Sequence, residues 1–351
     1  MTCLRNSNYL LFFVRMMFPA DSCHKATLHM IRRLAMKTKN KLITSLLLTS
    51  SAIAGIALIN QYIGMSAVSK NSLVQSNPHC YRWRFGNIYY TKEGTGKPLL
   101  LLHDLNFASS GAEWSGLLPL LKNHYTVYTI DLLGCGRSEK PNLTYTNFLY
   151  VQLLNDFIKS EIGRRTNVIA TGASASLAIM ACGYRSDLFE QIMLINPESF
   201  FSSGQIPGKS SRPYKWILDM PVLGTLLYNY AASKKNIEKI LKTECFYNPY
   251  SVKLSLVEQY YEAAHLGTYP KAIYSSTLLH YTKCSISRTL EQINNSIYIL
   301  GGEEKDEIKE IIKEYTDCNP SIESGVISKT RHLPHLEKPE EVCKVIDMFF
   351  G

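Results

Sequence analysis

The sequence contains no C-x-x-C pair and no group of cysteines and histidines at metal-ligand spacing. Its nine cysteines are scattered along 351 residues, and an odd number excludes a framework in which every cysteine is paired. These absences argue against a metal centre and against a small disulfide-stabilised fold. We expect buried free thiols, no metal and no cofactor.

Excess charge is also missing from most of the chain. The formal net charge is +9, but eight lysines and arginines lie in the first 41 residues beside a single acid, Asp21. The rest of the chain is nearly neutral and gives no reason to expect nucleic acid as a partner. A composition of 46% hydrophobic and 19% charged residues is typical of a globular, core-forming protein.

Charge is absent altogether from Leu42–Ile59, directly after the basic residues. Such a run suits a short transmembrane helix or a long signal-peptide core. We predict a single-pass membrane anchor over residues 42–63, preceded by a poorly ordered basic segment, 1–41, and followed by a linker, 64–80. The positive-inside rule places 1–41 in the cytoplasm and the body outside it. The alternatives are secretion after cleavage near Ser66–Ser69, where small residues recur, and a buried or interfacial helix.

Short apolar runs alternate with helical patterns through most of the body. This alternation predicts a mostly parallel, doubly wound α/β sheet. Its strands are expected at 99–102, 125–130, 167–171, 191–195, 296–300 and 325–328, after an aromatic hairpin at 81–90 that turns at Gly86-Asn87.

The alternation stops between residues 200 and 291, where several helices follow one another. We expect a helical cap over the sheet edge that carries the strands' carboxyl ends, because ligands bind there in open α/β sheets. Residues 81–199 and 292–351 then form the α/β core. The cap aromatics either line an apolar pocket or form the core of the cap: Trp216, Tyr228, Tyr230, Tyr260, Tyr261 and Tyr274.

A candidate nucleophile lies after the strand at 167–171. The string Gly172-Ala173-Ser174-Ala175-Ser176 is typical of a sharp strand–turn–helix elbow that presents a serine between small neighbours. Ser176 stands where the pattern usually closes with glycine. Taken alone, the same string also suits a helix that packs closely against a sheet.

Other strings follow in a characteristic order. They are Leu101-Leu102-His103-Asp104, the D-x-x-G-x-G-x-S segment Asp131–Ser138, the elbow, Gly302–Asp306, and His332–Glu340. Over about Tyr81–Gly351 the chain therefore resembles the α/β-hydrolase superfamily, in its serine hydrolase form with a helical cap. The order Ser, acid, His is that of the superfamily.

The resemblance implies a catalytic triad. Ser174 is the expected nucleophile, His332 the base that activates it, and Asp306 the acid that orients His332. The Gly-x-x-Asp spacing falls on Lys305 when counted from Gly302 and on Glu304 when counted from Gly301, so Glu304 is one alternative acid. Glu198, just after the preceding sheet strand, is the other, because some relatives carry the acid there.

The resemblance also implies an oxyanion hole from the backbone N–H groups of Leu105 and Ala175. Asp104 and Arg331 stand where the superfamily commonly has glycine, which with Ser176 makes three departures from its pattern. His335 is expected to be structural. His103 and Arg137 are expected to brace loops.

The predicted function is that of a membrane-anchored serine hydrolase acting on a carboxylic ester or a related acyl or lipid-like small molecule. A non-catalytic, receptor-like homologue that binds a small apolar ligand is the first alternative. A peptidase or C–C bond hydrolase with the same triad is the second. A serine nucleophile argues against epoxide hydrolase and haloalkane dehalogenase chemistry, which use a carboxylate nucleophile in this fold.

Overall fold

The computed structural model describes residues 21–73 and 77–351. Contacts divide the chain into two units, Met1–Ile59 and Asn60–Gly351. Helix α1 (Asp21–Val68) supplies all the described residues of the first unit and continues into the second. Poor order was expected for 1–41, but residues 21–41 are helical, because neither glycine nor proline interrupts the chain between Asp21 and Ala54. The rest of that segment lies outside the described residues.

Helix α1 contains a window, Ser50–Val68, that is long and apolar enough to cross a membrane by length and composition. No other helix in 21–73 and 77–351 meets that test. The window begins later than the predicted 42–63 and takes in the first residues of the predicted linker. The linker is correspondingly shorter, since the first strand begins at Pro78.

One eight-stranded sheet organises the second unit, in the order β1-β2-β4-β3-β5-β6-β7-β8. The first two pairings, β1 with β2 and β2 with β4, are antiparallel, and the remaining five are parallel. The strands are β1 (Pro78–Trp83), β2 (Gly86–Glu93), β3 (Lys97–Leu102), β4 (Tyr125–Ile130), β5 (Thr166–Thr171), β6 (Phe189–Ile195), β7 (Ser296–Gly302) and β8 (Glu323–Ile327). This confirms the predicted α/β fold class.

Both faces of the sheet are buried, and this agrees with the continuous apolar sequences of its strands. Leu99 and Leu101 pack into one buried cluster, whereas Leu100 and Leu102 pack into the other. A strand buried on both faces reads as a continuous apolar run, which is why these strands were recognisable. The hairpin turn was misplaced, because Trp83 pairs with Gly86 and the turn is therefore formed by Arg84 and Phe85.

The helices of the core flank this sheet. They are α2 (Leu118–Leu121), α3 (Asn147–Phe157), α4 (Ser174–Tyr184), α12 (Ile308–Cys318), α13 (Pro334–Glu337) and α14 (Pro339–Phe350). A short 3-10 helix, Gly111–Trp114, lies between β3 and α2.

The cap separates β6 from β7, as predicted. Its helices are α5 (Phe200–Ser203), α6 (Ser211–Asp219), α7 (Leu223–Ala231), α8 (Lys234–Ile240), α9 (Leu254–His265), α10 (Pro270–Leu278) and α11 (Ser287–Gln292). Buried side chains of α7, α8 and α9 form a cluster with Ala108 and Leu333, which belong to loops of the core. The cap therefore covers the ends of the strands. The seven described cysteines are all free, but of these seven only Cys135 and Cys182 are buried, whereas buried thiols were expected throughout.

Candidate active site

Four loops meet at the edge where the parallel strands end. They follow β3, β5, β7 and β8, and they carry Asp104, Gly172, Lys305 and His332. A cavity of about 500 Å³ opens over three of these residues, Asp104, Lys305 and His332. Apolar side chains of the cap, Ile237, Ile240 and Leu241, form part of its wall.

The turn after β5 is made by Gly172 and not by Ser174. Gly172 has φ +53°, a left-handed conformation that favours glycine. Ser174 is already the first residue of α4. The apex of the elbow is thus two residues earlier than predicted, in the string Ala170-Thr171-Gly172-Ala173-Ser174.

The structure places Ser174 away from the cavity. Its side chain has 0% exposure, and its Oγ donates a hydrogen bond to the carbonyl of His103 at 2.6 Å. Ser174 is not among the residues that line the cavity, and no hydrogen bond joins it to His332 within 21–73 and 77–351. The predicted pairing of serine and histidine is therefore absent from this arrangement. The Ser176 hydroxyl is also buried, without a hydrogen-bond partner among the described residues.

The carboxylate of Asp104 occupies the space above the elbow. A Cβ atom added to Gly172 would lie 2.2 Å from Oδ1 of Asp104. A side chain at the apex and the Asp104 carboxylate therefore exclude each other. The same Oδ1 accepts a hydrogen bond from the N–H of Ala173 at 2.8 Å, so the donor next to the apex is already engaged.

Asp104 is also the carboxylate that faces His332. Its Oδ2 lies 3.6 Å from Nε2 of His332, an ion-pair distance slightly too long for a good hydrogen bond. The two side chains remain 17% and 25% exposed, whereas Ser174 is sealed. The Asn106 amide donates to Oδ2 at 3.2 Å.

These contacts set the charge of Asp104. Burial raises the pKa of this carboxyl, but the electrostatic interaction with His332 and the hydrogen bonds donated by Ala173 and Asn106 outweigh burial, so the pKa lies well below its usual range. Asp104 is therefore an anion throughout the neutral range.

Among the described residues, none of the three predicted acids forms a hydrogen bond or an ion pair with His332. Asp306 lines the cavity but forms no hydrogen bond or ion pair with the described parts of the chain. Glu304 is exposed, and Glu198 is paired with Lys283. Lys305 stands where the Gly-x-x-Asp spacing expects the acid, and its Nζ donates to the carbonyls of Asn196 and Pro197 at 3.1 and 3.2 Å.

The two predicted oxyanion donors, Leu105 and Ala175, are not among the residues that line the cavity. The N–H of Ala175 donates to the carbonyl of Gly172 at 3.2 Å and is not directed at the cavity residues. Leu105 is buried, away from the cavity lining. The donor that faces the carboxylate is Ala173, because the apex has moved by two residues.

Glu113 is a cavity residue that the sequence did not reveal. It is buried, accepts a hydrogen bond from the Asp104 N–H at 3.2 Å and accepts another from the Tyr260 hydroxyl at 2.9 Å. Burial, with the nearby Asp104 charge, raises the pKa of Glu113 to about 8. Glu113 therefore carries its proton at neutral pH. No motif marks this position, and only its surroundings give it this property.

The predicted structural residues are confirmed. His335 is buried and stacks on Trp114 with ring centroids 4.7 Å apart, and burial lowers its pKa to about 3. Nε2 of His103 accepts the N–H of Leu132 at 3.0 Å. Arg137 forms an ion pair with Asp131 at 2.9 Å.

The histidine loop is fastened to the cap. The N–H groups of His332 and Leu333 donate to the carbonyl of Cys245 at 3.0 and 3.3 Å, and the Arg331 guanidinium donates to the carbonyl of Thr243. Arg331 thus reaches cap backbone. Of the six cap aromatics, only Tyr260 lines the cavity. No group of three or more potential metal ligands occurs in the described ranges.

Comparisons with known proteins agree with this architecture. The family model described as "Alpha/beta hydrolase family" matches residues 99–345. A soluble epoxide hydrolase of Corynebacterium sp. (strain C12) is 23% identical over 276 residues, which cover 75% of this chain and 93% of that enzyme.

A 2-hydroxy-6-oxo-6-(2'-aminophenyl)hexa-2,4-dienoic acid hydrolase of Metapseudomonas resinovorans is 28% identical over 108 residues, or 30% of this chain and only 37% of that enzyme's length.

Solved structures share the fold. The epoxide hydrolase CorEH superposes with a TM-score of 0.63 at 20% identity, covering 78% of this chain and 98% of its own. The carboxylesterase CesB from Bacillus subtilis gives a TM-score of 0.63 at 15% identity, covering 84% and 98%. The matched residues, 99–345, include the loops after β3, β5, β7 and β8 that meet at the cavity. The chain therefore belongs to the α/β-hydrolase family.

Proposed function

We propose that this chain is a hydrolase whose nucleophile is the carboxylate of Asp104, assisted by His332, and not the hydroxyl of Ser174. One observation at the elbow supports the proposal most strongly. Gly172 at the apex has no side chain, and the Asp104 carboxylate lies where a side chain of residue 172 would be. Asp104 and His332 border the cavity, whereas Ser174 does not.

The chemistry follows from the two carboxylate oxygens. Oδ2 attacks an electrophilic carbon of the substrate, and the bond from that carbon to the leaving atom breaks. Glu113, protonated at neutral pH, or the Tyr260 hydroxyl that it binds, supplies the proton taken up by the leaving atom. The product of this step is an ester of Asp104.

Water then cleaves the ester. His332 removes a proton from the water, and the resulting hydroxide attacks the carboxyl carbon of Asp104. Negative charge develops on Oδ1, where the Ala173 N–H already donates a hydrogen bond, and such a donor stabilises the oxyanion. The acyl C–O bond breaks, the protonated His332 returns its proton to Oδ2 so that the product leaves as an alcohol, and Asp104 retains the oxygen of the water.

This mechanism suits a substrate whose carbon carries a strained or easily expelled atom, and we propose an epoxide as the substrate class. The similarity to a soluble epoxide hydrolase over 93% of its length supports this choice. The sequence argued against such chemistry because Ser174 was assigned to the apex of the elbow. In the proposed mechanism Asp104 supplies the carboxylate nucleophile that such chemistry needs.

Paired variants test the nucleophile. Asp104→Asn should abolish hydrolysis of an aryl epoxide such as styrene oxide, whereas Ser174→Ala should retain it, and a fluorophosphonate should not label the protein. Activity that survives Asp104→Asn but is lost in Ser174→Ala, together with labelling at Ser174, would restore the serine esterase assignment.

A non-catalytic ligand-binding protein is the second candidate. It is favoured by the absence of the expected triad, since Asp306, Glu304 and Glu198 form no hydrogen bond or ion pair with His332 among the described residues. Thermal stabilisation by epoxides or esters without any turnover in the wild type would support this alternative.

We also propose that α1 anchors the protein in a membrane, with the body on the extracytoplasmic side. The apolar window Ser50–Val68 and the basic residues before it support this assignment. Retention in membrane pellets after alkaline carbonate washing is the expected result. A soluble protein with a new N-terminus near Ser66–Ser69 would instead indicate a cleaved signal.

A further inference from the structure

The cap carries an apolar surface that faces outward. On α7, Leu223, Leu226, Leu227 and Tyr230 follow the spacing of one helix face, and all four are exposed. The opposite side of α7 is buried, with Tyr228 packed into the cap cluster. An amphipathic helix of a soluble domain turns its apolar stripe inward, so α7 has the reverse arrangement.

Helix α6 extends this surface. It packs against α7 and exposes Trp216 and Ile217, with Trp216 67% exposed. We call these six side chains the cap face: Trp216, Ile217, Leu223, Leu226, Leu227 and Tyr230. Contiguous exposed apolar surface of this kind marks an interaction site.

The residues around the cap face are basic. Lys209 and Arg212 are exposed just before and within the first turn of α6, and Lys235 and Lys239 are exposed on α8. The neighbouring acids Asp219 and Glu238 are ion-paired with Lys215 and Lys242. Leucine with tryptophan and tyrosine, bordered by lysine and arginine, is the composition of a surface that enters the headgroup region of an anionic bilayer.

Asn60, the first residue of the second unit, connects the end of α1 to α7. Its side-chain amide N–H donates to the carbonyl of Val222 at 3.2 Å, and its side-chain Oδ1 accepts a hydrogen bond from the Asn229 amide at 2.9 Å. Tyr62 and Met65 are exposed on the same part of α1. These contacts join α7 to the part of α1 that belongs to the second unit, from Asn60 onward.

We propose that the cap face lies on an anionic lipid bilayer and forms a membrane contact additional to α1. The proposal does not depend on the chemistry at Asp104. Lipid is the assigned occupant because the leucines, Trp216 and Tyr230 of the cap face are bordered by exposed lysine and arginine, which match the charge of anionic headgroups.

Tryptophan fluorescence tests the contact in the full chain. The protein has three tryptophans, and Trp83 and Trp114 are buried, so Trp216 is the accessible one. In vesicles of equal parts phosphatidylcholine and phosphatidylglycerol with brominated acyl chains, we expect Trp216 emission to be quenched relative to unbrominated vesicles. The quenched component should disappear in Trp216→Phe and decrease in the double variant Leu226→Glu, Leu227→Glu.

A matched control comes from the core. Tyr184 is exposed at the end of α4, and a tryptophan introduced by Tyr184→Trp into the Trp216→Phe variant should not be quenched. Protein that floats with the vesicles while Trp216 stays unquenched would overturn the cap contact but leave the anchor. Failure to float would overturn both. A blue shift of Trp216 emission that depends on protein concentration without lipid would assign the face to a second copy.

Discussion

Replacing Gly172 by alanine should harm the protein for two separable reasons. At φ +53° an alanine is strained by about 1–2 kcal/mol. Its Cβ would also lie 2.2 Å from Oδ1 of Asp104, so the carboxylate must move and give up the hydrogen bond from Ala173. A hydrogen bond to a charged group contributes about 1.5–3 kcal/mol. We expect Gly172→Ala to lower the free energy of unfolding by roughly 2.5–5 kcal/mol.

Gly163 provides a matched control. It has φ +71°, and a Cβ there would meet nothing within 4 Å. Gly163→Ala should therefore cost only the backbone strain, about 1–2 kcal/mol. Urea unfolding followed by circular dichroism measures both variants under the same conditions.

A double-mutant cycle isolates the contact with Asp104. In an Asp104→Ala background the obstruction is gone, and Gly172→Ala should cost no more than Gly163→Ala. The coupling between positions 104 and 172 should then be about 2 kcal/mol, in the range of residues in contact. A coupling within about 0.5 kcal/mol of zero would mean that the carboxylate does not occupy the elbow, and the nucleophile assignment would lose its basis.

Other predictions address the same cavity. The raised pKa of Glu113, about 8, means that the folded protein holds this proton more tightly than the unfolded chain. The stability from Glu113 is therefore complete at acid pH and is lost as pH rises through about 8. Urea unfolding from pH 5 to 8 should show wild type losing up to about 1.4 kcal/mol per pH unit relative to Glu113→Gln, and parallel curves would contradict this. In His332→Gln, epoxide should leave an ester on Asp104, visible as added substrate mass on the intact protein; an unmodified mass under turnover conditions would count against the mechanism. Arg331→Ala, which removes the contact to the Thr243 carbonyl, should increase amide exchange in the cap segment after α8, and unchanged exchange would show that this contact does not hold the cap.

The strands could be predicted because both of their faces are buried, and such strands have continuous apolar sequences. Tyr125–Ile130 was predicted at its observed bounds, and β3, β5, β6 and β7 were each found within two residues at either end. Apolar runs of this length have few other placements in an α/β domain. The hairpin turn was displaced because Gly86, a frequent turn residue, here begins β2 instead.

The elbow was not predictable from spacing. Small residues recur at every second position, Ala170, Gly172, Ser174 and Ser176, so two registers of the motif fit the same string. Only the backbone conformation separates them, and the left-handed residue is Gly172. The presence of a serine in one register favoured the wrong apex.

The role of Asp104 was hidden for a different reason. The sequence shows that Asp104 stands where the superfamily commonly has glycine, and it also shows that the elbow motif is unusual. Each departure was interpreted as a separate deviation from the family pattern. Their complementarity depends on a contact between residues 68 positions apart, which no local pattern encodes. The role of Glu113 could not be predicted for the same reason. The burial that raises its pKa arises only in the folded protein, where the Asp104 loop and Tyr260 of the cap surround it.

Isotope transfer tests the nucleophile most directly. Hydrolysis of an epoxide in H₂¹⁸O over many turnovers should place ¹⁸O in the carboxylate of Asp104, located by mass spectrometry of the peptide that contains it. The product of a single turnover should carry unlabelled oxygen from the protein. If all the new oxygen in a single-turnover product comes from water and Asp104 stays unlabelled, the carboxylate is not the nucleophile.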